Sequence, residues 1–168
     1  TGAAPEDDDT TADGAPPPAN GFESDGGSGG AVAGSVPALG LAAEIEGVIT
    51  ARELTLEFAG DGAVYATDVY TLTNAGAEPV TLALDFDDTS ASCAVDGVAV
   101  ESGAHVSLLK AGASAEIVLR SKAAVEGDTL ALDSPVNLTV AEAALVLQNL
   151  PEGMVVSGTE PFDQIIQE

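Results

Sequence analysis

The sequence predicts an all-β chain: an Ig-like or jelly-roll-type β-sandwich of about 8 to 10 strands with an extended N-terminal segment. Three observations lead there. Apolar residues recur with period two, the spacing at which side chains share one face of a strand. Val, Thr, Ala and Gly dominate, while long helix-forming side chains are scarce, with two Lys and two Arg in 168 residues. Gly, Pro, Asn and Asp punctuate the apolar runs about every 8 to 12 residues, as turns between short strands require.

The central unit is residues 64–86, VYATDVYTLTNAGAEPVTLALDF. Tyr70 and Leu72 share a face of its first run, and Val80, Leu82, Leu84 and Phe86 share a face of its second. The polar segment 74–79, with Gly76 and Pro79, separates them. Upstream, Leu54, Leu56 and Phe58 alternate with Thr55 and Glu57 before a turn at Gly60-Asp61-Gly62. Downstream, Asp96-Gly97 between two Val/Ala runs predicts a two-residue type I′ hairpin turn. Residues 105–109 and 115–119 continue the meander, followed by a short strand at 129–132 and a long one over 136–147, bent near Glu142. Leu54, Leu56, Phe58, Tyr70, Leu72, Leu82, Leu84, Phe86, Ile117 and Leu119 are expected to face a single interior.

Three stretches follow from this pattern. Residues 1–30 hold seven acids, no base, four Pro and seven Gly, with Phe22 as the one large apolar side chain. Such a tail buries too little apolar surface to offset its ordering entropy. Residues 31–50 are apolar and small, compatible with a strand through Leu39 and Leu41 or with a short helix. Pro37 confines any strand there to an edge or a start. Residues 51–168 form the predicted sandwich domain.

Twenty-eight acids against four bases give a net charge of -24. A surface of that sign repels nucleic-acid phosphates and anionic membranes, which excludes both as partners. The acids spread over the whole chain, with few Lys and few aromatics, a pattern that resembles proteins of extreme halophiles and fits solvation at high salt better than a metal site. No run of 18 apolar residues is present, so no membrane insertion is expected. The first residue, Thr1, fits an exported product whose signal peptide has been removed. The single cysteine, Cys93, excludes an intrachain disulfide and reads as a small buried hydrophobe.

Little chemistry is encoded. The one histidine, His105, reads as an exposed edge residue, and no Ser-His-Asp or Cys-His arrangement stands out. Cys93, His105 and Met154 lack the second histidine that a blue-copper site needs. Asp85, Asp87 and Asp88 are the candidate calcium ligands, without EF-hand spacing, and otherwise read as a solvated strand end. Asn137-Leu138-Thr139 is the one glycosylation sequon. No catalytic residues and no obligatory cofactor are expected.

Tyr70-Thr71-Leu72-Thr73-Asn74-Ala75-Gly76, then residues 80–86, Leu108-Leu109-Lys110-Ala111-Gly112-Ala113-Ser114-Ala115, and residues 136–141 follow the order found in TasA/camelysin-like secreted β-sandwiches. The resemblance covers roughly residues 64–141. It implies an extracellular filament or pilus subunit of a biofilm matrix, bacterial or archaeal. Copies of the same chain would then be the partner, joined head-to-tail when the N-terminal segment of one subunit is inserted as a strand into the next. The sequence departs from the bacterial members by lacking a Lys-rich surface and by carrying the acidic tail ahead of any donor.

The candidate donor is residues 31–41. Small residues such as Ala31 and Ala33 let the backbone lie close in a groove, and Val32, Val36, Leu39 and Leu41 supply apolar anchors. The alternative is a monomeric cell-surface domain tethered to the envelope by the acidic spacer.

The charge generates the first prediction. Lowering salt from 1 M to 0.1 M lengthens the screening distance from about 3 Å to about 10 Å, so self-repulsion acts on the compact state. Thermal melts should give a higher Tm in 2 M than in 0.1 M NaCl. Equal values count against the halophile reading.

Overall fold

A computed structural model describes residues 35–108, 110–125, 129–155 and 162–168. The described residues contain no helix and form an all-β, sandwich-type fold. The strands are β1 (Ser35–Val36), β2 (Gly40–Leu41), β3 (Val48–Phe58), β4 (Ala63–Asn74), β5 (Val80–Asp85) and β6 (Ala91–Val95). Then come β7 (Val98–Val100), β8 (His105–Leu108), β9 (Ser114–Ala124), β10 (Ala131–Leu132), β11 (Val140–Gln148) and β12 (Gln164–Gln167).

A seven-stranded sheet in the order β12-β11-β3-β4-β9-β6-β7 forms one layer. The facing layer consists of a three-stranded sheet, β2-β5-β8, and the two-stranded β1-β10. The loop at residues 75–79 therefore carries the chain from one layer to the other, and β4 pairs with β3 and β9 instead of β5. The Asp96-Gly97 turn forms as the dipeptide predicts. Both residues have positive φ, 49° and 86°, and Val95 faces Val98 across the hairpin.

Two features depart from a simple meander. β11 runs parallel to both β3 and β12, pairs whose partners the alternation in β11 does not specify. The strand expected over residues 136–147 is shorter and begins at Val140, because Asn137 takes a positive φ of 61° and the register slips between Val140 and Glu142. Leu145, Val146 and Leu147 are all buried, the pattern of a strand covered on both faces.

All ten residues expected in the interior are buried, but they line two cores instead of one. Tyr70, Leu72, Leu82, Leu84, Phe86, Ile117 and Leu119 pack between the two larger sheets together with Val106 and Leu108. Leu54, Leu56 and Phe58 join Val64, Ala66, Ala123, Leu145 and Leu147 toward the other end of the long strands. The physical reason is a band of polar residues on the same inward face: Thr50 and Arg52 of β3, Asp68 of β4 and Ser121 of β9, each at most 7% exposed.

Phe86 lies in the first core at the end of β5. Truncation to Ala removes most of a buried aromatic side chain and should cost about 3 to 5 kcal/mol. Equilibrium urea unfolding measures this loss, and an unchanged midpoint would contradict the packing described.

Candidate functional site

The site is the groove that holds residues 35–41. β1 lies parallel to β10, with Ser35 opposite Ala131 and Val36 opposite Leu132. The chain then crosses to β5, where Gly40 faces Asp85 and Leu41 faces Leu84 in antiparallel pairing. On the other flank, Asp133 N–H donates to Val36 O (2.9 Å) and Leu41 N–H donates to Val136 O (3.0 Å). Ala42 N–H continues the β5 pairing with a 2.9 Å bond to Ala83 O. Gly40 and Leu41 are thus wedged between two runs of backbone, and Ser35 and Val36 pair with the run 131–133.

The segment also supplies side chains to both cores. Val36 belongs to the second core, and Leu39 and Leu41 belong to the first; all three are at most 2% exposed. Burying three such side chains contributes roughly 5 to 9 kcal/mol before ordering costs. Of the expected donor residues, the structure therefore brings Val36, Leu39 and Leu41 together in this groove, within their own chain. Ala31, Val32 and Ala33 lie outside the described residues. The sandwich body also begins before residue 51, since β3 opens at Val48 and residues 35–41 complete the facing layer.

Below the groove sits the one ion pair among the described residues. Arg52 grips Asp68 with two bonds, Nε to Oδ1 at 2.9 Å and Nη2 to Oδ2 at 2.8 Å, and both side chains are 1% exposed. Tyr70 donates its hydroxyl to Asp68 Oδ2 at 2.6 Å. The guanidinium lies between two rings, 5.4 Å from the centroid of Tyr70 and 5.0 Å from that of Phe162. Leu39 N–H, in the groove, donates to the Tyr70 hydroxyl oxygen at 3.0 Å.

Burial pushes the Asp68 carboxyl above its ordinary value, against the opposing bonds from Arg52 and Tyr70. Burial likewise works against the Arg52 charge, but the Asp68 contacts outweigh it and hold the guanidinium above its ordinary value. The two shifts pull the pair in opposite senses, and the geometry decides: three donors converge on the two carboxylate oxygens, an arrangement that favours the charged form. The pair is ionised. Burial, aided by the Asp68 charge, raises the Tyr70 hydroxyl far enough that it remains a donor throughout the physiological range. Thr50, beside this network, is the one buried side chain without a hydrogen-bond partner among the described residues.

Sequence reasoning passed over this network. Its signal was present, since Arg52 shares a face with Leu54, Leu56 and Phe58, and Asp68 shares one with Tyr70 and Leu72.

The remaining candidates are separate from the groove or sit at its rim. Asp85, Asp87 and Asp88 are exposed at the end of β5. Asp87 accepts the Thr89 hydroxyl at 2.6 Å and the Thr89 N–H at 3.0 Å, bonds that hold its carboxyl below the ordinary range. Asp88 accepts the Ser102 N–H at 3.1 Å. Among the described residues no group of three or more His, Cys, Asp or Glu is placed to hold a metal ion. Asn137 is exposed in a turn instead of a strand, and its Nδ2 donates to Leu41 O at 2.9 Å. His105 is exposed on β8, an edge strand. Cys93 is buried in the first core, where burial and the nearby Asp88 push its thiol up to about 11, whereas Met154 packs on the second. No helix among the described residues is long and apolar enough to cross a membrane.

No family model matches the chain, and no curated protein matches it. The site therefore stands on its own geometry. Replacing Asp68 with Asn leaves the Arg52 charge buried without a counter-ion and should destabilise the protein by about 3 to 5 kcal/mol. The double replacement Arg52→Met with Asp68→Leu should cost much less than the two single changes added together. Urea unfolding of the four proteins measures both, and additive losses would show that the pair is not coupled.

Proposed function

We propose that the protein is a structural subunit of an extracellular filament, with no enzymatic activity, and that residues 35–41 are the strand by which one copy completes the next. One observation carries this reading: a short N-terminal segment fills a groove between two backbone runs and anchors both cores, yet joins the body through an exposed connector. In that connector, residues 42–47, Ala42, Ala43, Glu44 and Glu46 are exposed and Ile45 is half-buried. Extended, six residues reach about 20 Å. Straightening the connector would release the Ala75 N–H to Gly47 O bond and the packing of Ile45 on the first core, and the segment could then enter the groove of another copy.

The same bonds would then form between copies. Because the segment of one copy fills the groove of the next, the contact is head-to-tail and does not close, which generates a filament.

A second reading has its own support. The segment is seated in its own chain here, as it would be in a monomeric cell-surface domain tethered through the acidic spacer.

A covalent trap separates the two. Ala42 and Ala83 adjoin the antiparallel β2–β5 pair, joined by a 2.9 Å backbone bond. Facing Cα atoms in such a pair lie about 4.5 to 5.5 Å apart, within the span of a disulfide. Under mild oxidation, the double variant Ala42→Cys, Ala83→Cys of the full chain should give a ladder of covalent multimers on a non-reducing gel. A product that is entirely internally linked monomer overturns the filament reading and favours the tethered domain.

A further inference from the structure

The groove is selective. Tyr70 has a single hydroxyl hydrogen, and it is committed to Asp68. Toward the groove the phenolic oxygen therefore acts only as an acceptor, and it is satisfied by the N–H of residue 39. One position along the groove thus demands a backbone N–H.

The next position disfavours a side chain. A methyl group on Gly40 would stand 3.2 Å from Val136 Cβ, 3.3 Å from Val136 O and 3.4 Å from Asp85 O. Both flanking backbones are held by pairing on either side of that point, Leu41 N–H to Val136 O and Gly40 opposite Asp85. An added methyl group fits only if these backbones yield by a few tenths of an ångström, at the expense of that pairing.

These two demands can be tested against every small slip of the segment. Moving it by two residues in one direction puts Pro37, which has no N–H, over Tyr70 and puts Ala38 against Val136. Two residues the other way puts Ala42 against Val136. A slip of one places Leu39 or Leu41 there, a worse clash, and turns the apolar anchors away from their pockets. Within residues 35–42 only Gly40 fits the notch.

We infer that Tyr70 and the Val136 notch form a recognition code that sets the register of the inserted strand and restricts the groove to one partner class: a segment of the pattern Val-Pro-x-Leu-Gly-Leu, supplied by this chain or by a second copy of it. Arg52 and Asp68 act behind it as positioning residues, because they fix the direction of the Tyr70 hydroxyl. This inference rests on the reading of residues 35–41 as an exchangeable strand, but register and exchange are separate observables.

The experiment uses the full chain with the disulfide trap at two settings. Ala42→Cys with Ala83→Cys reports the register described; Glu44→Cys with Ala83→Cys reports a slip of two. In the otherwise unaltered protein the first pair should link in at least about tenfold higher yield, the discrimination expected from one clash of about 1.4 kcal/mol at the notch. Gly40→Ala should erase that preference, because position 40 then carries the same methyl group as position 42, and Ala42→Gly added to Gly40→Ala should raise the yield of the second pair above that of Gly40→Ala alone. Tyr70→Phe should raise hydrogen exchange at the Leu39 amide by roughly tenfold relative to the amide of Leu41. The inference is overturned if Gly40→Ala leaves the linking preference intact, if Ala42→Gly added to it fails to raise the yield of the second pair, or if Leu39 protection does not respond to Tyr70→Phe. Whether the linked product is monomer or ladder bears only on exchange between copies, so a failure of the filament reading and a failure of the recognition code are told apart on the same gel.

Discussion

The buried pair of Arg52 and Asp68 is the constraint around which the rest of the molecule is arranged. Two charges placed 2.8 Å apart and 1% exposed are costly to desolvate, and the cost is offset only when geometry is good and spare acceptors are satisfied. Here the two guanidinium bonds and the Tyr70 hydroxyl occupy the carboxylate, and two aromatic rings flank the guanidinium. To obtain that geometry, β3 and β4 must pair with Arg52 opposite Tyr70 and Leu54 opposite Asp68. The register of these two long strands is in this way coupled to one ion pair. A slip of β3 by one residue would turn Arg52 away from Asp68 and expose Leu54 and Leu56 with it.

The polar band also explains why a single sandwich has two cores. Apolar packing is continuous along a strand only while its inward residues stay apolar, and the run Val48, Thr50, Arg52, Leu54 in β3 is interrupted at its second and third members. The facing layer is divided at the same level, with β2, β5 and β8 covering one core and β1 near the other. Residues 35–41 are the element that spans the division. Their side chains enter both cores and their backbone touches the polar band through Leu39, so this short segment senses the whole interior.

Much of this architecture was legible in the sequence. Strict alternation identified β3, β4, β5 and β9, and Asp96-Gly97 identified its hairpin, because in each the local pattern and the final environment agree. What escaped were features in which a local rule is broken by a distant partner. Arg52 and Asp68 are charged residues at inward positions, and only their mutual contact makes those positions tolerable. The parallel pairing of β11 with β3 joins segments some ninety residues apart, and alternation carries no information on which strand lies alongside. Asn137 looked like part of a strand until its positive φ placed it in a turn, a conformation that asparagine tolerates better than most residues.

The groove segment shows the same logic from the functional side. Val-Pro-x-Leu-Gly-Leu is unremarkable by propensity, and Pro37 and Gly40 both weaken a strand. Those two residues acquire meaning only against the groove. Proline forbids one slip because it lacks the N–H that Tyr70 needs, and glycine is the residue that the Val136 contact admits. A strand optimised for its own stability would have valine or threonine at both places, and nothing in its backbone would then distinguish one register from the next. Features that look like defects in an isolated strand are what a strand selected for a single docking position should contain, since specificity is the difference between the right alignment and its neighbours. The buried ion pair extends that fit inward by holding the phenolic oxygen toward the Leu39 N–H.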